Sequence, residues 1–230
     1  MCSPASFIVT KDKVFWSKRS DSHEDIIREF DLCVDGIDRP KIVRVEITPP
    51  DNNFRIPLED WQLHIDEVVI SFDLLPSWFN MDDVSKRTRE ALKKWADSKL
   101  IIDENKTIYD QQAYVFGKSY ISARGTSLIE ANDESIVEAY DRVVVCCRNK
   151  CKVKAYQNSS IICREDCVVE SYDYTNIFGY HNCNIRAYYM SIINAYDDCV
   201  VHAHDKSIVR SYDNVKVFRY DQAVAVEDKK

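Results

Sequence analysis

Glycine is scarce in this chain, with four in 230 residues: Gly36, Gly117, Gly125 and Gly179. A phosphate-cradling loop needs clustered glycines so that backbone N–H groups can approach the anion, and no such loop is present. Long apolar runs are also missing. None approaches the roughly 18 residues that a membrane-spanning helix requires, so no membrane partner is expected. Positive charge is not in excess either. With 31 Lys and Arg against 38 Asp and Glu, the net charge is −7, which disfavours broad binding to nucleic acid or anionic lipid. No apolar leader follows Met1, and the nine cysteines are an odd number. Both features argue against a secreted disulfide scaffold and for a reducing, cytoplasmic location.

Two residue types are absent from one part of the chain only. All four tryptophans (Trp16, Trp61, Trp78, Trp95) precede residue 100, all thirteen tyrosines lie at or after Tyr109, and five of the six prolines fall between Pro40 and Pro76. This shift divides the chain into a first unit at 1–108 and a second at 109–230. In the first, "SFIVTKDKVFW" and "KIVRVEIT" read as strands, and "DSHEDIIREF" as a short helix capped by Asp21 or Ser22. Met81, Val84, Thr88, Ala91, Leu92 and Trp95 share one helical face. Asp82 and Asp83 open that helix, and Lys93, Lys94 and Lys99 close it, as the helix dipole favours. The expectation is a small α+β head.

The second unit is written in eights. From Ser119 to Lys230 the chain divides into fourteen octads with no insertion, typified by "SIVEAYDR", "SIINAYDD" and "SIVRSYDN"; the last, "AVAVEDKK", is degenerate. Position three is Ile or Val in all but Ala225, and position five is nearly always small. Positions one, three and five therefore face inward along a short strand, and the positions between them face out. Position seven is Asp in seven octads, which reads as a turn in which an Asx side chain bonds its own backbone. First positions taken in alternate octads keep cysteine in one column: Ser119, Ser135, Cys151, Cys167, Cys183, Cys199, Val215. A coil of sixteen residues with two strands per turn follows. The fold class expected is thus mainly β: a parallel β-solenoid of seven coils, about 34 Å long, behind the α+β head.

Each candidate site also has a plainer structural role. Cys151, Cys167, Cys183 and Cys199, with Cys147 and Cys163, suggest zinc. Stacked in columns they form a line rather than a tetrahedron, so they read as small buried hydrophobes, and neither metal nor cofactor is expected. Position six carries Tyr140, Tyr156, Tyr172, Tyr188, His204 and Tyr220 on one sheet, and Asn132, Arg148, Arg164, Tyr180, Tyr196 and Tyr212 on the other. Such aromatic ladders can hold a planar ligand, which makes Tyr140, Tyr156, Tyr172, Tyr188, His204, Arg148, Arg164 and Tyr180 the candidate ligand residues. The same neighbours also stabilise a sheet by roughly 0.2 to 1 kcal/mol per pair.

The outward positions of the second sheet are unusually apolar, with Val144, Ile162, Phe178, Ile192, Ile208 and Val224 prominent. An apolar outer face calls for a cover, here a second copy or a segment of the head. The last coil, guarded only by "VEDKK", offers open strand edges, so a homo-oligomer is expected. His23 in "HED", His64 in "HID", and His202 and His204 in "VHAH" have acid-base chemistry but no third partner in sequence; they read as solvated surface.

Trp61, "HIDE" at 64–67, "LPSWF" at 75–79, the amphipathic helix after them and the tandem "SxVxAYDx" units together resemble proteins encoded by phages and prophages. That resemblance implies a bacterial-virus origin and expression in the host cytoplasm, and it supplies no catalytic residues. It favours a non-enzymatic protein that binds or sequesters a host protein or a small nucleotide-like defence signal. The alternatives are an assembly protein polymerising through the solenoid, and a hydrolase in the head using His23 or His64.

Overall fold

The structure, a computed structural model, describes residues 4–32, 41–65 and 75–227. Cys2, Cys33, Gly36, Pro40, Asp66, Glu67 and the closing "DKK" lie outside them. The chain divides into two compact units, Met1–Lys99 and Leu100–Lys230.

The first unit is an α+β head. Strands β1 (Ser6–Val9), β2 (Val14–Phe15), β3 (Val43–Thr48) and β4 (Gln62–Ile65) form an antiparallel sheet in the order β2-β1-β3-β4. Among the described residues two helices accompany it, α1 (His23–Glu29) and α2 (Met81–Lys99). In β3, buried Val43, Val45 and Ile47 alternate with half-buried Arg44, Glu46 and Thr48, the period-two pattern of a strand with one face on a core. Ser22 caps α1, its hydroxyl accepting the N–H of Asp25.

Asp21, the other capping candidate, has a different task. Its Oδ1 accepts from Trp95 Nε1 and from Lys99 Nζ, each at 2.9 Å, with all three residues buried. Lys99 is therefore a core cation and not a solvated dipole partner at the end of α2. A hydrogen-bonded counter-charge is what makes burial of an ammonium tolerable. Met81 departs from the expected apolar face as well: at the start of α2 it stays 47% exposed, while Val84, Thr88, Ala91, Leu92 and Trp95 are buried.

The second unit is a parallel β-solenoid. One sheet has nine strands: β5 (Leu100–Ile102), β7 (Gln112–Phe116), β9 (Leu128–Ala131), β11 (Val144–Cys147), β13 (Ser160–Cys163), β15 (Asn176–Gly179), β17 (Ile192–Ala195), β19 (Ile208–Ser211) and β21 (Val224–Glu227). The other has eight: β6 (Asn105–Tyr109), β8 (Tyr120–Arg124), β10 (Ile136–Ala139), β12 (Lys152–Ala155), β14 (Val168–Ser171), β16 (Asn184–Ala187), β18 (Val200–Ala203) and β20 (Lys216–Arg219). Sixteen residues separate partners in register, as in Val137 with Val153 and Val145 with Ile161.

The coil begins earlier than the octads do. Leu100 pairs with Tyr114 and Asn105 with Tyr120, spacings of 14 and 15 residues. This shortened first turn is out of phase with the eight-residue frame, which hides it from a search for the repeat. The solenoid accordingly gains a turn over the seven coils counted from Ser119.

Inside, positions one, three and five are buried in every coil from Ser119 to Ser211. The inward serines are satisfied locally: Ser135, Ser159, Ser191 and Ser207 each donate to the carbonyl three residues back, at 2.7 to 2.8 Å. That bond removes the cost of burying a hydroxyl. Gly179 marks a crowded layer, where an added Cβ would sit 2.6 Å from Ile185 Cδ1 and 3.4 Å from Cys199 Sγ.

The corners work differently from the expected Asx turn. Every position-seven residue from Asp133 to Asp221 has positive φ, between 54° and 63°, a left-handed conformation that Asp and Asn tolerate best among residues with a Cβ. The bonds that define these corners run across coils. The side chain accepts the backbone N–H of the corner one coil earlier: Asp133 from Gly117, Asp141 from Gly125, Asp197 from His181 and Asp205 from Tyr189, at 2.8 to 3.0 Å. Gln157, Glu165 and His181 fill the same role at other corners. The repeated Asp thus clamps coil to coil.

Candidate functional site: the outer surface of the solenoid

Position six stands where each strand enters a corner, and the sixteen-residue register stacks these side chains directly. Tyr140, Tyr156, Tyr172, Tyr188, His204 and Tyr220 form one continuous column, with ring centroids 4.4 to 5.2 Å apart and planes within 16° of parallel. Tyr180, Tyr196 and Tyr212 form a second, at 4.9 and 4.6 Å. Each column starts on a guanidinium: Arg124 lies 4.4 Å over Tyr140, and Arg164 lies 5.7 Å over Tyr180. Arg148, one coil before Arg164, is exposed. The ring faces within a column are covered by neighbouring rungs. What a ligand meets is therefore the ring edges and hydroxyls, and the open face of Tyr220, which is 43% exposed.

Local chemistry tunes the phenols. Tyr140 donates to Glu138 Oε2 at 3.0 Å; burial, then that bond and the Glu138 charge, push its pKa above the ordinary phenol range. Tyr172 is raised too, by burial and then by Glu170. His202 and His204, expected to be solvated, are half-buried rungs instead. His202 stacks on Phe218 at 4.8 Å, and His204 lies between Tyr188 and Tyr220.

The two sheets differ on their outsides. Along the eight-stranded sheet, Glu138, Lys154, Glu170 and Arg186 are successive register partners of alternating sign, and Arg186 reaches Glu170 at 3.3 Å. Along the nine-stranded sheet, Val144 and Ile162 are half-buried, while Phe178, Ile192, Ile208, Val224 and Val226 are 38 to 50% exposed. Register sets these in two short runs, Ile162 beside Phe178 at position four and Ile192, Ile208 and Val224 in succession at position two, with Asn194 and Asn176 the partners of Phe178 and Ile192 between them. Nothing in the sheet's own packing requires apolar side chains there, because the inward face already supplies its core.

The six core cysteines are 0 to 1% exposed. The pKa values of Cys147 and Cys183 are pushed well up by hydrogen bonding to Cys163, and that of Cys151 by Cys167, with burial adding in each case. Cys147, Cys151 and Cys183 stay thiols, whereas hydrogen bonding from them pulls Cys163, Cys167 and Cys199 down. Among the described residues, no group of three or more His, Cys, Asp or Glu is placed to hold a metal ion.

In the head, a cavity of about 220 Å³ is lined by His23, Arg44, Glu46, His64 and Ile65. His23 is buried rather than solvated, with its Nε2 3.2 Å from the Val45 carbonyl. His64 is exposed and opposite Glu46 in register. Arg44 is paired with Glu24 at 3.0 Å. The fold thus gathers two imidazoles that lie 41 positions apart in the sequence, which adjacency in sequence did not reveal. Acid-base groups are present, with no hydroxyl or thiol nucleophile among these lining residues.

Comparison with known protein families, with curated proteins and with solved structures finds no match. Among the described residues, no helix is long and apolar enough to cross a membrane.

Proposed function

We propose that this protein is a non-enzymatic binding protein that engages a protein partner through the outer face of its nine-stranded sheet. The observation that carries this reading is the apolar band through Phe178, Ile192, Ile208 and Val224 on a surface that packing does not require to be apolar. A sheet clamped at most of its corners holds those residues rigidly, so little ordering entropy opposes binding. Outward apolar residues recur from Ile162 on β13 to Val224 on β21, an extent that suits a folded protein able to bury the roughly 1,000 Å² a specific complex needs. A small nucleotide-like ligand finds fewer footholds, because the ring faces of the tyrosine columns are already filled. A bacterial-virus origin, which the sequence resemblance implies, would make a host cytoplasmic protein the partner.

Photo-crosslinking tests this directly. A photoreactive residue at Ile192 is expected to trap a partner of one discrete mass, and the same residue at Lys154 on the other sheet is not. Ile192→Asp should abolish the adduct formed from a probe at Ile208 while changing folding stability by no more than about 0.5 kcal/mol, as for other surface substitutions. Equal trapping from both sheets, or an adduct indifferent to Ile192→Asp, would overturn the proposal.

A further inference from the structure

One corner of the solenoid gives up its clamp. From Asp133 to Asp221, the position-seven side chain accepts a backbone N–H of the coil before it at every described corner but one, whether it is Asp, Asn, Gln, Glu or His. The exception is Tyr189. Its phenol ring stands where an acceptor belongs, and among the described residues no side chain accepts from the N–H of Asp173, one coil back. Tyr189 also holds a φ of 57°, a left-handed backbone that Asp and Asn adopt far more readily than a bulky ring does. A bond forgone and strain accepted at one point of a regular array indicate a task other than holding the rod together.

Tyr174 and Tyr189 are each 60% exposed and Met190 is 49% exposed. Their ring faces are open, whereas those of the tyrosine columns are filled by neighbouring rungs. Corner hydrogen bonds set Asn158, Tyr174 and Met190 on successive coils: their N–H groups donate to the carbonyls of Asp141, Gln157 and Asp173. Charge of neither sign prevails. The carboxylates of Asp173 and Asp205 are engaged by the N–H groups of Gln157 and Tyr189, and Lys206 follows Met190 on the next coil.

We infer that this corner binds an uncharged, proline-rich segment in the polyproline II conformation. Such a segment is preformed, so exposed aromatic side chains grip its rings at little entropic cost. Proline brings no N–H and needs no acceptor, while the carbonyls of the extended helix have no internal donor and need one. The corner offers the matching set: two open aromatic faces with their hydroxyls, the Asn158 amide, and the Asp173 N–H that Tyr189 leaves unclamped. Spacing agrees as well. One polyproline II turn rises about 9 Å, close to the roughly 9.6 Å of two coil spacings that separate Asn158 from Met190.

The site goes beyond the sheet-face proposal and does not depend on it. Met190 supplies the reporter, because the other two methionines, Met1 and Met81, belong to the first unit. In magnetic resonance spectra of the full chain labelled at its methionine methyls, an acetylated and amidated proline decamer should shift the Met190 signal saturably and leave Met81 in place. A Gly-Ser decamer should shift neither. Tyr174→Ala should weaken binding at least tenfold. Tyr189→Asp should act in two opposite directions: it abolishes binding, and it raises the urea midpoint because a carboxylate there restores the clamp and suits the backbone. No Met190 shift at about 1 mM peptide, an equal shift from the Gly-Ser decamer, binding that survives Tyr189→Asp, or a midpoint lowered by that substitution overturns the inference. A discrete adduct at Ile192 without a Met190 shift strikes the corner site and spares the sheet-face proposal; a Met190 shift without an adduct does the reverse.

Discussion

The head and the solenoid solve the same problem, burial of polar groups, in opposite ways. In the head one charged constellation is made once: Asp21 holds Lys99 and Trp95 from 78 and 74 residues away. In the solenoid the bonds are modest, mostly neutral or at the surface, and repeated. A serine hydroxyl reaches the carbonyl three residues back, and a corner side chain reaches one coil back. The head concentrates its risk in a few residues, and the solenoid spreads it so that no single rung is decisive.

The largest test of that contrast is Asp21→Ala. It leaves a fully buried ammonium and a buried indole N–H facing a missing acceptor, and breaking a buried pair from one side costs about 3 to 5 kcal/mol. Calorimetry should show the head's unfolding transition collapse while the solenoid's stays in place. A loss below about 1 kcal/mol, the level of a surface pair, would mean that the trio is solvated and that the contrast fails.

The same contrast explains what could be read from sequence. The octads state the solenoid outright, because a period of eight with Ile or Val at position three leaves one consistent inside, and the cysteine column fixes the coil at sixteen. The first turn was hidden because its spacings of 14 and 15 residues fall outside the frame. The role of the corner Asp is not legible, because sequence shows only neighbours along the chain and the bond runs across coils. In the head nothing repeats. Lys99 looked like an ordinary helix-ending lysine, and His23 like surface, because their partners Asp21 and Val45 are chosen by tertiary packing alone. The apolar outer band was legible from Phe178, Ile192 and Ile208; the filled ring faces of the tyrosine columns were not.

A middle-sized test asks whether the corner clamp is truly shared. Asp197 has φ of 58° and accepts from His181 N–H at 2.8 Å. Asp197→Ala loses that bond and places a residue poorly suited to left-handed backbone there, for a combined cost of about 2 kcal/mol. Asp197→Asn keeps an acceptor and tolerates the conformation, so its cost should stay below about 1 kcal/mol. Urea titrations of the two variants measure the difference. Equal losses would show that charge at the corner, and not bond and backbone together, is what the repeat conserves along the rod.

The smallest effect belongs to the tyrosine columns, and it carries a sign. Tyr140 and Tyr172 have phenol pKa values raised by burial and then by Glu138 and Glu170. The folded state therefore favours the neutral phenol over what the unfolded chain, with a pKa of about 10, would choose. Stability from this source is fully present below about pH 10 and is lost as pH rises through the higher folded value. Thermal melts of the solenoid should fall off in that alkaline window, with tyrosinate absorbance rising alongside. Tyr140→Phe with Tyr172→Phe should flatten the fall, since a phenyl rung stacks without titrating. The head, whose described residues contain no tyrosine, should show no such decline. A head transition that drops in parallel would assign the alkaline loss to general charge repulsion and remove the columns from the account.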